Sequence, residues 1–216
     1  MRKIKVITFS SLDGVIQAPG GPEEDPSGNF KFGGWSVNYG DETMGQYLDK
    51  ATGQPHDLLL GRKTYDIFAG YWPFKGGPMA EKINKATKYV ATNTLQSTTW
   101  NGTVLLNKNT LQQVRELKAQ EGIDLLVWGS ANFLQTLFAE KLVDELIIMT
   151  YPLLLGKGKR LFEGNAAPGS LQLTDHVVSG TGVIIAQYKP AGEIVTGEFE
   201  EEEATAAEIE QRKSKG

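Results

Sequence analysis

Leu125-Leu126-Val127-Trp128-Gly129-Ser130-Ala131-Asn132-Phe133-Leu134 is the stretch on which the fold turns. An unbroken apolar run stops at a glycine, passes through a short polar turn, and enters a segment where Phe133/Leu134, Leu137/Phe138 and Leu142 recur at helical spacing. A strand apolar at every position is covered on both faces, as parallel strands beneath helices are. The segment therefore predicts a strand over Leu125 to Trp128, a tight junction, and a helix over Asn132 to Leu142.

Working outward, the same alternation recurs along the chain. Strands are predicted at Ile4 to Phe9, Asp57 to Leu60, Tyr89 to Thr92, Val104 to Leu106 and Glu145 to Tyr151, and helices at Asp41 to Lys50, Lys63 to Phe68 and Leu111 to Gln120. In the last of these Leu111, Val114 and Leu117 form an apolar stripe, and Asn109 or Thr110, with Gln112 or Gln113 three residues on, fits a capping box. Leu171 to Val178 and Gly182 to Tyr188, joined through Ser179-Gly180-Thr181, read as a closing antiparallel hairpin. The order implies an α/β fold with a mainly parallel sheet.

The chain has 216 residues, one domain plus a remainder at about 150 residues per domain. Residues 1–190 form the expected domain. Residues 191–216, with Glu198, Glu200 to Glu203, Glu208 and Glu210, form an acidic tail whose Ala204 to Arg212 portion favours helix without offering a buried face. Lys+Arg 22 against Asp+Glu 26 gives a net charge of −4, and no basic block marks a nucleic-acid footprint. The absence of cysteine excludes disulfides, thiolate metal sites and cysteine nucleophiles. Apolar runs fall far short of the roughly 20 residues of a membrane span, and the N-terminus carries no secretory signal pattern. A cytoplasmic protein with no membrane or nucleic-acid partner is expected. His56 and His176 make no metal constellation.

In open α/β sheets ligands bind beyond the carboxyl ends of the strands. Four junctions lie there: Ser10 to Gly14, Gly61-Arg62-Lys63-Thr64, Thr92-Asn93-Thr94 and Gly129-Ser130-Ala131-Asn132. Glycine permits close backbone approach, helix starts present N–H groups to phosphate, and Arg62 adds a charged fork, so the set suits an anionic dinucleotide. The same glycines also suit tight structural turns with Thr64 and Asn132 as helix caps. No G-x-G-x-x-G follows a strand, Gly61 is not followed by a P-loop lysine, and no G-x-S-x-G elbow occurs, which excludes standard Rossmann, P-loop and serine-hydrolase sites.

Ser11-Leu12-Asp13-Gly14-Val15-Ile16, Leu60-Gly61-Arg62-Lys63-Thr64-Tyr65, Val127-Trp128-Gly129-Ser130-Ala131-Asn132-Phe133 and Leu153-Leu154-Leu155-Gly156-Lys157-Gly158 together resemble the dihydrofolate-reductase-like family. The nearest branch is similar to stand-alone bacterial proteins akin to the reductase domain of the riboflavin-biosynthesis deaminase-reductase. The resemblance covers about residues 2–189. It implies a mixed, largely parallel sheet with a final antiparallel hairpin, NADPH as cofactor, and a homodimer, for which Tyr151 to Leu155 is a candidate apolar contact.

The resemblance further implies that Arg62, Lys63 and Thr64 hold phosphates beside Gly61, with Thr92 and Asn93 near the adenosine ribose. Gly129, Ser130, Ala131, Asn132 and Phe133 would cradle the pyrophosphate, and Ile16 would lie near the nicotinamide. The implied activity is hydride transfer to a pterin-like or pyrimidine/riboflavin-precursor-like heterocycle, with Asp13 and Asp41 as candidate proton donors and Trp35 and Phe32 as candidate stacking residues. Two departures stand out. The first helix offers Asp41, Glu42 and Asp49 without a clear match to the pterin-holding carboxylate, and the Gln17 to Trp35 loop carries Glu23, Glu24 and Asp25, which oppose a substrate phosphate unless Lys31 points inward. A nucleotide-binding protein without turnover, and an assembly protein using its acidic tail, are the competing expectations.

Overall fold

Successive residues of the apolar strands part to opposite faces of one sheet, as the two-residue period of a strand requires. Leu58, Leu60 and Leu126 join one buried layer with Ile7, Ile147, Met44, Tyr47, Tyr65 and Ile83. Leu59, Leu125 and Val127 join the other with Val6, Val114, Leu117, Leu134 and Leu137. The sheet is thus sandwiched between helices, and each fully buried leucine contributes about 1.5–3 kcal/mol relative to exposure.

The computed structural model describes residues 1–163, 167–197 and 206–214. In chain order these form β1 (Ile4–Ser11), α1 (Glu42–Ala51), β2 (His56–Gly61), α2 (Arg62–Ala69), α3 (Pro78–Lys85), β3 (Lys88–Ala91), β4 (Thr103–Leu106), α4 (Thr110–Ala119), β5 (Asp124–Trp128), α5 (Ala131–Ala139), β6 (Glu145–Tyr151), β7 (Leu171–Val178), β8 (Ile184–Pro190) and α6 (Ala206–Lys213). The sheet order is β4-β3-β2-β5-β1-β6-β8-β7. Strands β1 to β6 pair in parallel, and β8 turns antiparallel against β6 and β7. This is the mixed, mainly parallel sheet with a terminal hairpin expected from the sequence. Among the described residues no helix is long and apolar enough to cross a membrane.

Several local expectations are corrected. Helix α3 is absent from the sequence reading because Gly76-Gly77-Pro78 reads as a loop; Pro78 instead occupies the first helical turn, where a missing N–H costs nothing, and only Ala80 and Ile83 are buried. The capping box on α4 does not form. Asn109 adopts φ 52° with no side-chain cap, Thr110 donates to the Leu106 carbonyl at 2.9 Å, and Gln113 accepts from the Lys108 N–H at 3.1 Å. Strand β8 begins at Ile184, because Gly182 has φ 85° and belongs to the turn. Tyr151 is core, only 1% exposed, so of the candidate dimer contact only Leu154 presents a large open apolar surface, at 75%. Helix α6 falls in the tail; the acidic run at 198–203 lies outside the described residues.

Candidate active site

Strand β1 lies between β5 and β6 at the centre of the sheet, and its carboxyl end opens into a cavity of about 420 Å³. Ile7, Thr8 and Phe9 of β1 and Trp128 of β5 border it, with Ile16 to Gly20, Glu24 and Asp25 from the loop after β1. Lys63 and Thr64 at the start of α2 and Gly129 to Asn132 at the start of α5 close another side, and Lys159 reaches in from the loop after β6. The remaining wall is Leu48 of α1, Ile67 and Phe68 of α2, Trp72 of the following 3-10 turn, and Met79 and Ile83 of α3.

Two strand-to-helix junctions converge here, and their local geometry fits a phosphate group. Neither α2, entered from Gly61, nor α5, entered from Ser130, has a side-chain cap on its first N–H groups. Those donors remain available to an anion, and the helix dipoles favour one. Gly129 has φ +66°, and a Cβ there would meet only Thr64 Oγ1 at 3.9 Å, so its bare backbone borders open space. Ser130 follows at φ 68°, a left-handed conformation unusual for a residue with a side chain. Gly61 is required by close packing: a Cβ there would stand 2.6 Å from Ser130 Cβ and 3.0 Å from Phe133 Cβ. The glycine thus lets the two junctions touch.

Of the residues expected to bind cofactor, Ile16, Lys63, Thr64, Gly129, Ser130, Ala131 and Asn132 line the cavity, while Gly61 and Phe133 pack behind it. Arg62, Thr92 and Asn93 form a neighbouring shelf at the ends of β2 and β3. Arg62 Nε donates to both oxygens of Asp66 at 2.8 Å, and Nη1 reaches Thr94 Oγ1 at 3.2 Å. Thr92 Oγ1 is already an acceptor for the N–H groups of Thr94 and Leu95, at 3.2 and 3.0 Å, and Asn93 is exposed.

The four substrate-side candidates stand outside the cavity lining. Asp13 accepts from Ser11 Oγ at 2.6 Å and from the N–H groups of Leu155 and Gly156 at 3.1 and 2.9 Å, with Arg160 alongside; the Ser11 hydrogen bond first, and these donors, hold its carboxyl down to about 2. A group so stabilised as the anion is a poor acid, and Asp13 ties the β1 turn to the loop after β6. Asp41 caps α1 through Met44 N at 2.9 Å and holds Gly180 N at 2.7 Å. Trp35 is buried, donates from Nε1 to the Gln17 carbonyl at 2.8 Å and meets Tyr151 edge-on at 5.0 Å, bracing the loop. Phe32 packs edge-on against Phe30 at 5.9 Å, in a separate shallow depression with Lys31 and Lys157.

The acidic loop contributes what the sequence reading did not assign. Gly20 donates its N–H to Glu24 at 2.6 Å, folding the carboxyl back over Gly20-Gly21. Burial, helped by the charge of Asp25, raises the Glu24 carboxyl above the ordinary glutamate range against the pull of the Gly20 and Gly21 N–H groups. Asp25 has the opposite fate. Burial opposes its charge, but hydrogen bonds from Lys159, Ser27 and Lys63 together outweigh that cost and hold its carboxyl well below the usual range. The expected repulsion by this loop is therefore largely cancelled inside the cavity, by lysines 38 and 134 residues away in sequence. The doublet Gly20-Gly21 is the one local signal that the loop folds back on itself.

Residues 2–185 match the family model described as the RibD C-terminal domain. The chain is 28% identical over 192 residues to the uncharacterized protein YyaP of Bacillus subtilis (strain 168), covering 87% of this chain and 94% of that protein. Among solved structures, a putative riboflavin biosynthesis protein from Shewanella sp. PV-4 superposes with a TM-score of 0.62 at 20% identity, covering 88% of this chain and 99% of that one. A pyrimidine reductase-like protein from Corynebacterium diphtheriae gives 0.58 at 14% identity, with coverage of 89% and 93%. Dihydrofolate reductase from Enterococcus faecalis, complexed with NADP(H) and RAB-propyl, gives 0.56 at 14%, with coverage of 87% and 96%. These structural likenesses show a shared dihydrofolate-reductase-like fold.

Proposed function

The chain belongs to the RibD C-terminal domain family, and from that premise we propose that it is an NADPH-dependent reductase acting on the C=N or C=O bond of a small planar molecule. The expected pterin-like and riboflavin-precursor-like heterocycles are members of that broad class. The observation that carries the reading is the convergence of two uncapped helix starts, joined through Gly61, on one cavity at the carboxyl ends of the central strands. Bound there, the dinucleotide supplies a hydride. The chain's own residues do the rest. The starts of α2 and α5 receive the phosphates, Lys63 and Thr64 orient them, and Gly129 admits the backbone approach. Arg62, on its shelf with Thr94, receives the 2′-phosphate. The loop carrying Ile16 screens the reacting carbon from water. Glu24, whose raised pKa keeps a larger protonated fraction, holds the proton for the reduced atom.

Cofactor choice tests the reading. Arg62→Ala should weaken NADPH binding by roughly 1.5–3 kcal/mol, the range for hydrogen bonds to charged groups, and leave NADH nearly unchanged. Calorimetric titration of both dinucleotides into wild type and variant measures it. Equal losses would move Arg62 to the shared pyrophosphate, and failure of wild type to bind either dinucleotide would sink the proposal. Saturable binding without oxidation of any substrate would favour a nucleotide-binding protein of the same fold.

A further inference from the structure

Beyond the two helix starts, the cavity is lined by Leu48, Ile67, Phe68, Trp72, Met79 and Ile83, a group without one ionisable side chain. Five of these, Leu48, Ile67, Phe68, Trp72 and Met79, are only partly buried by the protein itself and border the open space. Helix α1 contributes Leu48 alone to that wall. Its acids are engaged or turned away: Asp41 caps the helix, Glu42 accepts from Gln46 at 2.9 Å, and Asp49 is exposed. The cavity's ionisable groups cluster together, Lys63 and Lys159 both holding Asp25 with Glu24 adjoining it in sequence.

A ligand rich in ring N–H groups would bury them against this wall with nothing on it to accept them, and, with Lys63 serving the dinucleotide phosphates, a substrate phosphate would have to displace Asp25 from Lys159. Each carries a penalty that an apolar ring does not. Resting on the reductase reading above, we infer that the substrate is an uncharged, planar, predominantly apolar carbonyl compound, an aromatic ketone or diketone, rather than a pterin or a sugar phosphate. Its ring packs among Phe68, Trp72, Met79 and Leu48, and its carbonyl faces the polar side. In the balanced step the carbonyl carbon accepts a hydride with its electron pair, the C=O π pair moves to oxygen, and that oxygen takes the Glu24 proton. The products are an alcohol, the oxidised dinucleotide and a Glu24 carboxylate that solvent reprotonates.

Trp72 and Trp128 border the cavity and report binding without any cofactor. Titrating the full-length, cofactor-free protein with 1-phenyl-1,2-propanedione should quench tryptophan fluorescence saturably, with dihydrofolate and uridine 5′-phosphate at least about tenfold weaker. Leu48→Asp should weaken diketone binding about tenfold or more, because it charges the apolar wall, while Leu48→Met preserves it. If Leu48→Asp fails to fold, Met79→Glu against Met79→Leu provides the same contrast. Tighter binding of dihydrofolate or uridine 5′-phosphate than of the diketone, or indifference to the charged variants, would overturn the inference. NADPH oxidation is followed separately with all three compounds. A diketone that binds but is never reduced counts against the reductase reading, whereas reduction of dihydrofolate alone upholds that reading and removes the apolar substrate.

Discussion

Glu24 and Asp25 adjoin in sequence yet meet opposite environments, and the contrast divides their labour. Asp25 is pinned as an anion by Lys63 and Lys159, so it neutralises the loop; Glu24, shielded by burial and beside a fixed negative charge, retains its proton to higher pH. A general acid must be protonated, so activity should persist below the raised Glu24 pKa and fall as pH rises through it. Glu24→Gln should lower kcat by about 10²-fold or more and remove that limb of the pH profile, leaving NADPH affinity intact. Since Glu24 binds its proton more tightly folded than unfolded, its ionisation destabilises the fold, and the variant should melt no lower than wild type at neutral pH. An unchanged kcat would exclude Glu24 from proton transfer. At this scale the sequence was legible where the cavity lining comes from consecutive residues, as in Lys63-Thr64 and Gly129 to Asn132. It was silent where a charge is set by partners far along the chain, which is why Asp13 and Asp41 read as candidate acids although backbone donors occupy them.

Between elements, the two strand-to-helix junctions at the cavity are mechanically one. The end of β2 and the start of α5 touch at Gly61 and Ser130, so an added side chain at Gly61 must displace Ser130 and Phe133. Gly61→Ala should cost about 1–3 kcal/mol from overpacking, read by denaturant unfolding. Ser130→Gly removes the obstructing side chain and eases the φ of 68°, so the double variant should recover at least about half of that loss. Additive losses would mean the junctions are independent. The strands themselves were legible because burial on both faces writes itself as unbroken apolar runs. Helix α3 was not, since its eight residues, Pro78–Lys85, place only Ala80 and Ile83 in the core and display too little periodicity. Nor could spacing show that Leu48 is the only residue α1 presents to the cavity.

Across the whole molecule, the order of strands was only partly legible: alternation of strand and helix implied parallel pairing and the last two strands a hairpin, but four of the seven neighbouring pairs in the sheet are not consecutive in sequence. Strand β1 is the extreme case. Its parallel partners are β5 and β6, and the hydrogen-bonded residues Lys3 and Asp124 are 121 residues apart. On the ribosome, at roughly 5–20 residues per second, the first strand made must wait on the order of ten seconds before either partner emerges. During that interval Ile4, Val6 and Ile7, all within 1% of complete burial in the finished protein, are exposed to solvent or to a chaperone. Stalled nascent chains ending at Ile123 should therefore be cut rapidly by protease, whereas chains extended beyond β8 acquire resistance; protection of the shorter chains would show that β1 finds an interim partner. The centre of the reductase-like sheet, where the cavity opens, is thus begun by β1 and cannot close until β6 has been translated.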